Sequence, residues 1–194
     1  MSVITKIKTN VVTEAAEPSE SVTSEMRRNN MRKIIPGFPF KHNGVDFIIL
    51  DELEFGVLAI TEELVYKSIE FNTHGNNDWR KSPIRKMLNS ELANKLGTHN
   101  LIPMEVDLTA DTGEDNYGVV EDLVSIPNDT MLRKYYKLIP SYNTWIWSAT
   151  PWSIEIGNGN YVSARGGNKA IYSERAEKQL GVAAVCMFDK SLFQ

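Results

Sequence analysis

Few side chains in this sequence have the types and spacing that catalysis needs. His42, His74 and His99 lie far apart and in no motif around a nucleophile, and spacing gives no hint that they converge on a metal. Cys186 is the single cysteine, which excludes an intrachain disulfide, a cysteine zinc cluster and chemistry based on a cysteine pair. We therefore expect a protein that is not an enzyme and has no cofactor.

The acidic segment 104–117 offers oxygen atoms of the kind that hard cations prefer. A calcium ion takes carboxylate and amide oxygens, but the spacing here differs from that of a twelve-residue EF-hand loop. A solvated loop without metal is the favoured interpretation, and calcium binding is the alternative. The candidate oxygen ligands would be Asp107, Asp111, Glu114, Asp115 and Asn116.

The stretch 144–168 has the composition of a recognition surface. It holds three of the four tryptophans and two Gly-Asn turn signals. A tryptophan ring can stack on a sugar or a partner side chain, and asparagine amides both donate and accept hydrogen bonds. Alternation places Trp145 and Trp147 on one strand face and favours the core for both, whereas Trp152 follows a proline and is equally suited to either place. The candidate ligand-binding residues lie in or beside predicted turns: Trp152, Asn158, Asn160, Tyr161, Arg165, Asn168 and Tyr172.

Short strands and turns must position these side chains. Runs of β-branched and aromatic residues predict strands at 45–50, 55–60, 119–126, 145–150, 161–165 and 181–188, the first two at hairpin spacing. Gly-Asn pairs at 157–160 and Gly166-Gly167-Asn168 favour hairpin turns because both residue types tolerate a positive φ.

Three helices are expected between the strands. Ser82-Pro83 is a strong start signal, and Gly97 a suitable end, for a helix whose apolar face is Ile84, Leu88, Leu92 and Leu96. Trp79 should pack over its start. Thr61 is a candidate cap for a short helix, and Asn128 or Asp129 for another that runs to Leu138 with Leu132, Tyr135 and Tyr136 facing inward.

Length and composition indicate one folded domain with an appendage. The chain has 194 residues and a formal net charge of -4, which argues against broad nucleic-acid binding. Residues 1–35 contain no Gly, Trp, Phe or Tyr and form a polar arm, which is either a flexible tail or a segment, helical from about residue 19, that orders on an assembly. The folded domain is expected at 36–194. The basic cluster that would contact a partner is Arg27, Arg28, Arg32 and Lys33.

No apolar run is long enough for a signal peptide or a membrane span. We therefore expect synthesis in the cytoplasm without general secretory export, a route that a virion protein released by lysis would share.

The order of several motifs resembles an uncharacterised domain family of Gram-positive gut bacteria and their phages, related to C-type-lectin-like folds. The motif W-x-x-S-x-I-R-x-x-L-N is matched at 79–89, D-L-T-x-D-x-G…Y-G…E-D-x-V-S at 107–125, R-K-Y…P at 133–140 and W-x-W-x-x-T-P-W-S at 145–153. A closing G-V-R-P strand is half matched, because Ala183 and Ala184 stand where the family has Arg-Pro. The resemblance covers roughly 40–190.

The resemblance implies an α+β fold, a C-type-lectin-like domain with short helices and a twisted antiparallel, loop-rich sheet, and no catalytic residue. It points to a phage virion structural protein, as a capsid decoration, head fibre or tail-associated adhesin, that docks on other virion proteins through the arm. A host-surface glycan or protein would be its ligand, and a homo-oligomer its expected state. The alternative is a free carbohydrate- or protein-binding module that is not part of a particle.

Overall fold

Hydrogen-bonded strands account for most of the regular structure in the computed structural model, which describes residues 34–155 and 159–194. The strands are β1 (Pro39–His42), β2 (Val45–Glu52), β3 (Val57–Thr61), β4 (Tyr66–Glu70), β5 (Leu101–Ile102), β6 (Met104–Asp107), β7 (Val119–Asp122), β8 (Val124–Ser125), β9 (Ile146–Pro151), β10 (Tyr161–Arg165), β11 (Ile171–Arg175), β12 (Gln179–Val182) and β13 (Val185–Phe188). The α-helices are α1 (Pro83–Met87), α2 (Ala93–Leu96) and α3 (Asp129–Lys134), and short 3₁₀ helices lie at Trp79–Lys81, Thr98–Asn100 and Lys190–Phe193. The protein is therefore α+β and mostly strand.

The first sheet has the order β1-β2-β3-β13-β5, with β8 also paired to β13. β2 and β3 are antiparallel, with Ile48 opposite Ile60, which confirms the hairpin expected from the two apolar runs. Asn43 and Gly44 turn the chain between β1 and β2 with φ values of 46° and 79°, a conformation in which asparagine and glycine are favoured.

The second sheet has the order β11-β10-β9-β12-β4. Its pairs are antiparallel except β9 and β12, which run parallel. β10 and β11 form the hairpin predicted around Gly166-Gly167-Asn168, and Lys169 completes its turn with φ of 66°. β6 and β7 form a separate antiparallel ribbon.

The single strand expected at 181–188 is two strands in different sheets. β12 ends at Val182 and β13 begins at Val185, so Ala183 and Ala184 carry the chain from the second sheet to the first. Both alanines are fully buried, and the Ala184 amide donates to Thr61 Oγ1 at 3.1 Å.

The helix expected after Thr61 is absent from residues 62–70, where the chain turns into β4. Thr61 is the last residue of β3, and its hydroxyl accepts from the Ala184 amide instead of capping a helix.

The helix that begins at Pro83 has the start and apolar face that the sequence predicts. Ser82 Oγ accepts from the Ile84 amide at 3.2 Å and donates to the Phe71 carbonyl at 2.6 Å. Its four apolar positions are at most 5% exposed, and Gly97 follows α2 with φ of 82°. Between α1 and α2 lies a π turn at Leu88–Leu92, which the four-residue spacing does not reveal.

The helix α3 is shorter than expected. Asn128 caps it by accepting from the Met131 amide at 2.9 Å, but it ends at Lys134, four residues before Leu138. Tyr135 is buried as predicted, whereas Tyr136 is 49% exposed. The segment 104–117 also differs from the expected loop, since its first four residues are β6.

Three fully buried aromatic side chains pack together in the larger apolar core. Phe71 packs against Trp79 and Trp147, with ring centroids 5.9 and 5.6 Å apart. Burial of each such ring stabilises the fold by roughly 1.5–3 kcal/mol. Trp147 is fully buried, and Trp145 is half-buried and packs against the larger core, so the expectation that both occupy the core is confirmed for Trp147 and only in part for Trp145.

Among the residues that the structure describes, no helix has the length and apolar character to cross a bilayer.

Candidate ligand-binding surface

Side chains of the motif at 79–89 connect α1 to β7 and β8. We call this contact the joint (Trp79, Arg85, Asn89 and Asp122). Trp79 Nε1 and Arg85 Nε both donate to the Asp122 carboxylate, each at 2.8 Å. Asp122 is 4% exposed, and burial raises the pKa of this carboxyl although Trp79 and Arg85 act in the opposite direction. Both oxygens of Asp122 and the indole N–H of Trp79 are therefore used within the joint, whereas only one edge of the Arg85 guanidinium is.

Asn89 completes the joint with four hydrogen bonds from one amide group. Its Nδ2 donates to the carbonyls of Arg85 and Val124 at 3.0 and 2.8 Å. Its Oδ1 accepts from the amides of Leu123 and Val124 at 2.9 and 3.2 Å. Two motifs that lie about 35 residues apart in the sequence thus depend on each other in the fold.

The candidate recognition residues separate into two groups at the ends of β10. Asn168 and Tyr172 lie at the end that carries the hairpin turn, and Asn160 and Tyr161 lie at the other. The strand between them has five residues and spans about 13 Å. One small ligand would therefore not contact both groups.

At the hairpin turn, two aromatic rings and one amide form a surface that we call the hairpin patch (Trp145, Asn168 and Tyr172). The rings of Trp145 and Tyr172 lie 4.9 Å apart at 39°, and Tyr172 is 44% exposed. Asn168 Nδ2 donates to the Tyr172 hydroxyl at 3.4 Å, and its Oδ1 accepts from the Ala170 amide at 3.2 Å. The exposed Tyr172 ring, supported by the half-buried Trp145 ring, lies beside the Asn168 amide, and this combination is suited to a sugar ring.

Trp152 marks the second group and is 37% exposed. Its amide donates to the Tyr161 carbonyl at 3.0 Å, which holds it beside the start of β10. The Tyr161 ring lies under the Arg175 guanidinium, 5.9 Å from centroid to Cζ. Asn160 has a buried Oδ1 without a hydrogen-bond partner among the described residues. Asn158 lies outside the described residues, as do Arg27, Arg28, Arg32 and Lys33.

Arg165 is buried and does not belong to the surface. It is 2% exposed, and its Nη1 donates to the Pro140 carbonyl at 3.3 Å. Burial lowers the pKa of its guanidinium, and Nε and Nη2 have no partner within the described part of the chain. β10 pairs Arg165 with Ile146 and Ile171, which directs the side chain into the smaller apolar core. The assignment of Arg165 as a ligand contact is therefore corrected to an interior position.

The carboxylates of the acidic segment bind protein groups. Glu114 Oε1 accepts from the Ser153 hydroxyl at 2.8 Å, and its other oxygen accepts from the Thr112 hydroxyl. These bonds, that of Thr112 above all, lower the pKa of Glu114 to about 2. Arg133 Nη2 lies 2.9 Å from Asp111 Oδ1. Across residues 34–155 and 159–194, no three His, Cys, Asp or Glu side chains are grouped so that they could hold a metal ion.

Two further surfaces were not predicted. Lys169 Nζ donates to the Tyr136 carbonyl at 3.2 Å and lies 5.8 Å from the Tyr136 ring centroid, which places an exposed ring beside the hairpin turn. A separate open cavity of about 890 Å³ lies at the start of the helix, with Arg80, Lys81 and Lys86 among its walls. The sequence shows the basic pairs at 80–81 and 85–86, but it does not show that the segment 121–123 lies opposite them.

Comparisons with known proteins provide no relative: the chain matches no family model, no curated protein and no solved structure.

Proposed function

We propose that this protein is a non-enzymatic recognition domain that binds a carbohydrate through the hairpin patch and is displayed on a phage particle as a decoration, head fibre or tail-associated adhesin. The observation that carries the recognition part is the Trp145–Tyr172 ring pair at 4.9 Å with the Asn168 amide beside it. Aromatic faces supply contact area at low entropic cost, and an adjacent amide supplies directional hydrogen bonds.

The location on a particle has separate support. The ordered motifs resemble a phage-associated family, and the polar arm of residues 1–35, with Arg27, Arg28, Arg32 and Lys33, is suited to docking on other virion proteins. The finer fold assignment, C-type-lectin-like, rests on the same resemblance. Short strands separated by loops, together with short helices, are compatible with this assignment. A symmetric homo-oligomer is the expected form, since virion proteins are usually multimers.

A glycan array tests the recognition part. The full-length protein should bind a subset of glycans, and Tyr172→Ala together with Asn168→Ala should reduce that binding about tenfold or more, because a stacked ring and a hydrogen bond are each worth roughly 1 kcal/mol. Phe55→Ala is the matched control, since Phe55 is 71% exposed and belongs to another hairpin. Equal loss in the control, or no glycan bound by the unaltered protein, would contradict a carbohydrate site at the hairpin patch.

Mass spectrometry of purified phage particles tests the location. Stoichiometric recovery of peptides from this protein would establish a virion component, and the copy number would separate a capsid ornament from a tail-tip adhesin. Removal of residues 1–35 should leave a folded domain that no longer attaches. If the protein is absent from particles but binds glycans, the alternative of a free binding module is correct.

A further inference from the structure

We propose that the open cavity at the start of the helix is a second binding site, which takes a saccharide that carries an acidic group. We call it the basic groove (Arg80, Lys81, Arg85, Lys86 and the opposing segment 121–123). Its volume of about 890 Å³ is within the range of small-molecule sites. It involves none of the residues of the hairpin patch, so the inference does not depend on the function proposed above.

Two buried carboxylates fix the arginines of the groove. Asp78 is fully buried and accepts from Arg80 Nε at 2.8 Å and Arg80 Nη2 at 2.9 Å. Burial would raise the pKa of Asp78, but the hydrogen bonds and charge of Arg80 lower it below its ordinary value, so this carboxyl is ionised at neutral pH. Asp122 accepts from Arg85 Nε at 2.8 Å, and the Glu121 carbonyl accepts from Arg85 Nη2 at 3.3 Å. Neither guanidinium has to lose side-chain freedom when a ligand binds, which favours binding.

Each fixed guanidinium retains donors for a ligand. The side chains of Arg80 and Arg85 are 40% and 28% exposed. Among the described residues, Nη1 of either arginine makes no hydrogen bond to protein. An arginine fork with free N–H groups is the arrangement that binds carboxylate, sulfate or phosphate oxygens.

The balance of charge in the groove is positive although the whole chain is acidic. Lys81 and Lys86 add two flexible cations on the same wall, and Lys81 is 3.5 Å from the Asp78 carboxylate that Arg80 already occupies. Both oxygens of Asp122 are taken by Trp79 and Arg85. Glu121 alone offers the groove an exposed carboxylate that is free to accept hydrogen bonds.

This mixture favours an acidic saccharide over nucleic acid. A groove that holds four cations on one wall and the exposed Glu121 carboxylate on the other matches a ligand that has both acidic groups and several hydroxyls. Nucleic acid has a regular series of phosphates and requires an extended basic surface, which a chain of net charge -4 does not favour.

Isothermal titration calorimetry with the full-length protein at low salt tests this site. The probes are trigalacturonic acid, the neutral trisaccharide maltotriose, inorganic tripolyphosphate and a single-stranded DNA 12-mer. We expect trigalacturonic acid to bind, with affinity that falls as salt is added, and maltotriose to bind at least tenfold more weakly. Lys81→Glu with Lys86→Glu should weaken trigalacturonic acid about tenfold or more, since exposed charge contacts each contribute a factor of up to about five and reversal adds repulsion.

The control protein carries Lys67→Glu and Lys95→Glu, two exposed lysines outside the groove. It has the same net charge as the groove variant and should bind trigalacturonic acid as the unaltered protein does. Equal weakening in the control would mean that only overall charge matters and would overturn the site. Absence of binding, equal binding of maltotriose, or tighter binding of tripolyphosphate or DNA than of trigalacturonic acid would overturn the assignment to an acidic saccharide. Unchanged thermal unfolding of both variants verifies that they are folded.

Discussion

Substitution of Asn89 tests the joint between the helix and β7–β8. Asn89→Ala removes four hydrogen bonds and leaves the amides of Leu123 and Val124 and the Val124 carbonyl without these partners. A hydrogen bond contributes about 1 kcal/mol net, and a buried group left unpaired costs about 1–3 kcal/mol. Asn89 is half-buried, so water reaches part of the site. We therefore expect the free energy of unfolding to fall by about 3–4 kcal/mol.

Urea unfolding followed by tryptophan fluorescence measures this loss. With a slope near 2 kcal/mol/M, the midpoint should fall by roughly 1.5–2 M. Asn89→Asp retains the acceptor for the two amides but faces two carbonyls with a carboxylate, so we expect an intermediate loss of about 2 kcal/mol. Asn94→Ala is the control, since Asn94 is exposed on α2 and alanine has the better helix propensity. A loss below about 1 kcal/mol for Asn89→Ala, or one no larger than in the control, would refute the joint.

Three further predictions concern other parts of the fold. Hydrogen bonds, first that of Thr112, lower the pKa of Glu114 from 4.5 to about 2. The contribution of this carboxylate to stability is therefore present above pH 4.5 and is lost as the pH falls toward 2. We expect the urea midpoint of Glu114→Gln to depend less on pH in that window than the midpoint of the unaltered protein. Burial raises the pKa of the Cys186 thiol, so a thiol reagent should react with it only as fast as the protein unfolds, and fast labelling in native buffer would contradict its burial. A Cβ at Gly56 would lie 2.5 Å from Met187 Cγ and 2.8 Å from the Phe188 carbonyl oxygen of β13. In thermal unfolding, Gly56→Ala should therefore lower the free energy of unfolding by about 1–3 kcal/mol. Gly159→Ala should change it by much less, because a Cβ at Gly159 has no described atom within 4 Å.

Elements fixed by neighbours in sequence were predicted well. The helix after Ser82-Pro83 forms because its cap, its proline and its apolar spacing are local features. The hairpin of β10 and β11 forms where Gly166-Gly167-Asn168 predicts a turn, but the residue with a positive φ in that turn is Lys169. Thr61 illustrates the limit of such signals. Followed by Glu62 and Glu63 it has the pattern of a helix cap, but its hydroxyl accepts from an amide 123 residues away, which no local pattern reveals.

The candidate site was predictable only in part. A position beside a predicted turn favours the surface for Arg165, but it does not show which face of β10 is buried, and β10 directs this side chain into the smaller core. Alternation likewise shows which residues share a strand face but not which face is buried. The same reasoning places Trp145 with Trp147, yet β9 begins after Trp145 and leaves that ring beside Tyr172. The basic groove requires Asp122 to meet Arg85, 37 residues before it, and this contact depends on the whole fold.

The strands on either side of Ala183 and Ala184, β12 and β13, are synthesised after all the other strands, and this affects how the nascent chain can fold. β12 lies between β9 and β4, and β13 lies between β3 and β5, so one short segment near the end of the described chain fills an interior place in each sheet. Until that segment leaves the ribosome, β3 and β9 each have an open edge, and open edges pair readily with other chains. We expect nascent chains that stop before β12 to aggregate or to require a chaperone, and the complete domain to fold in a single cooperative step.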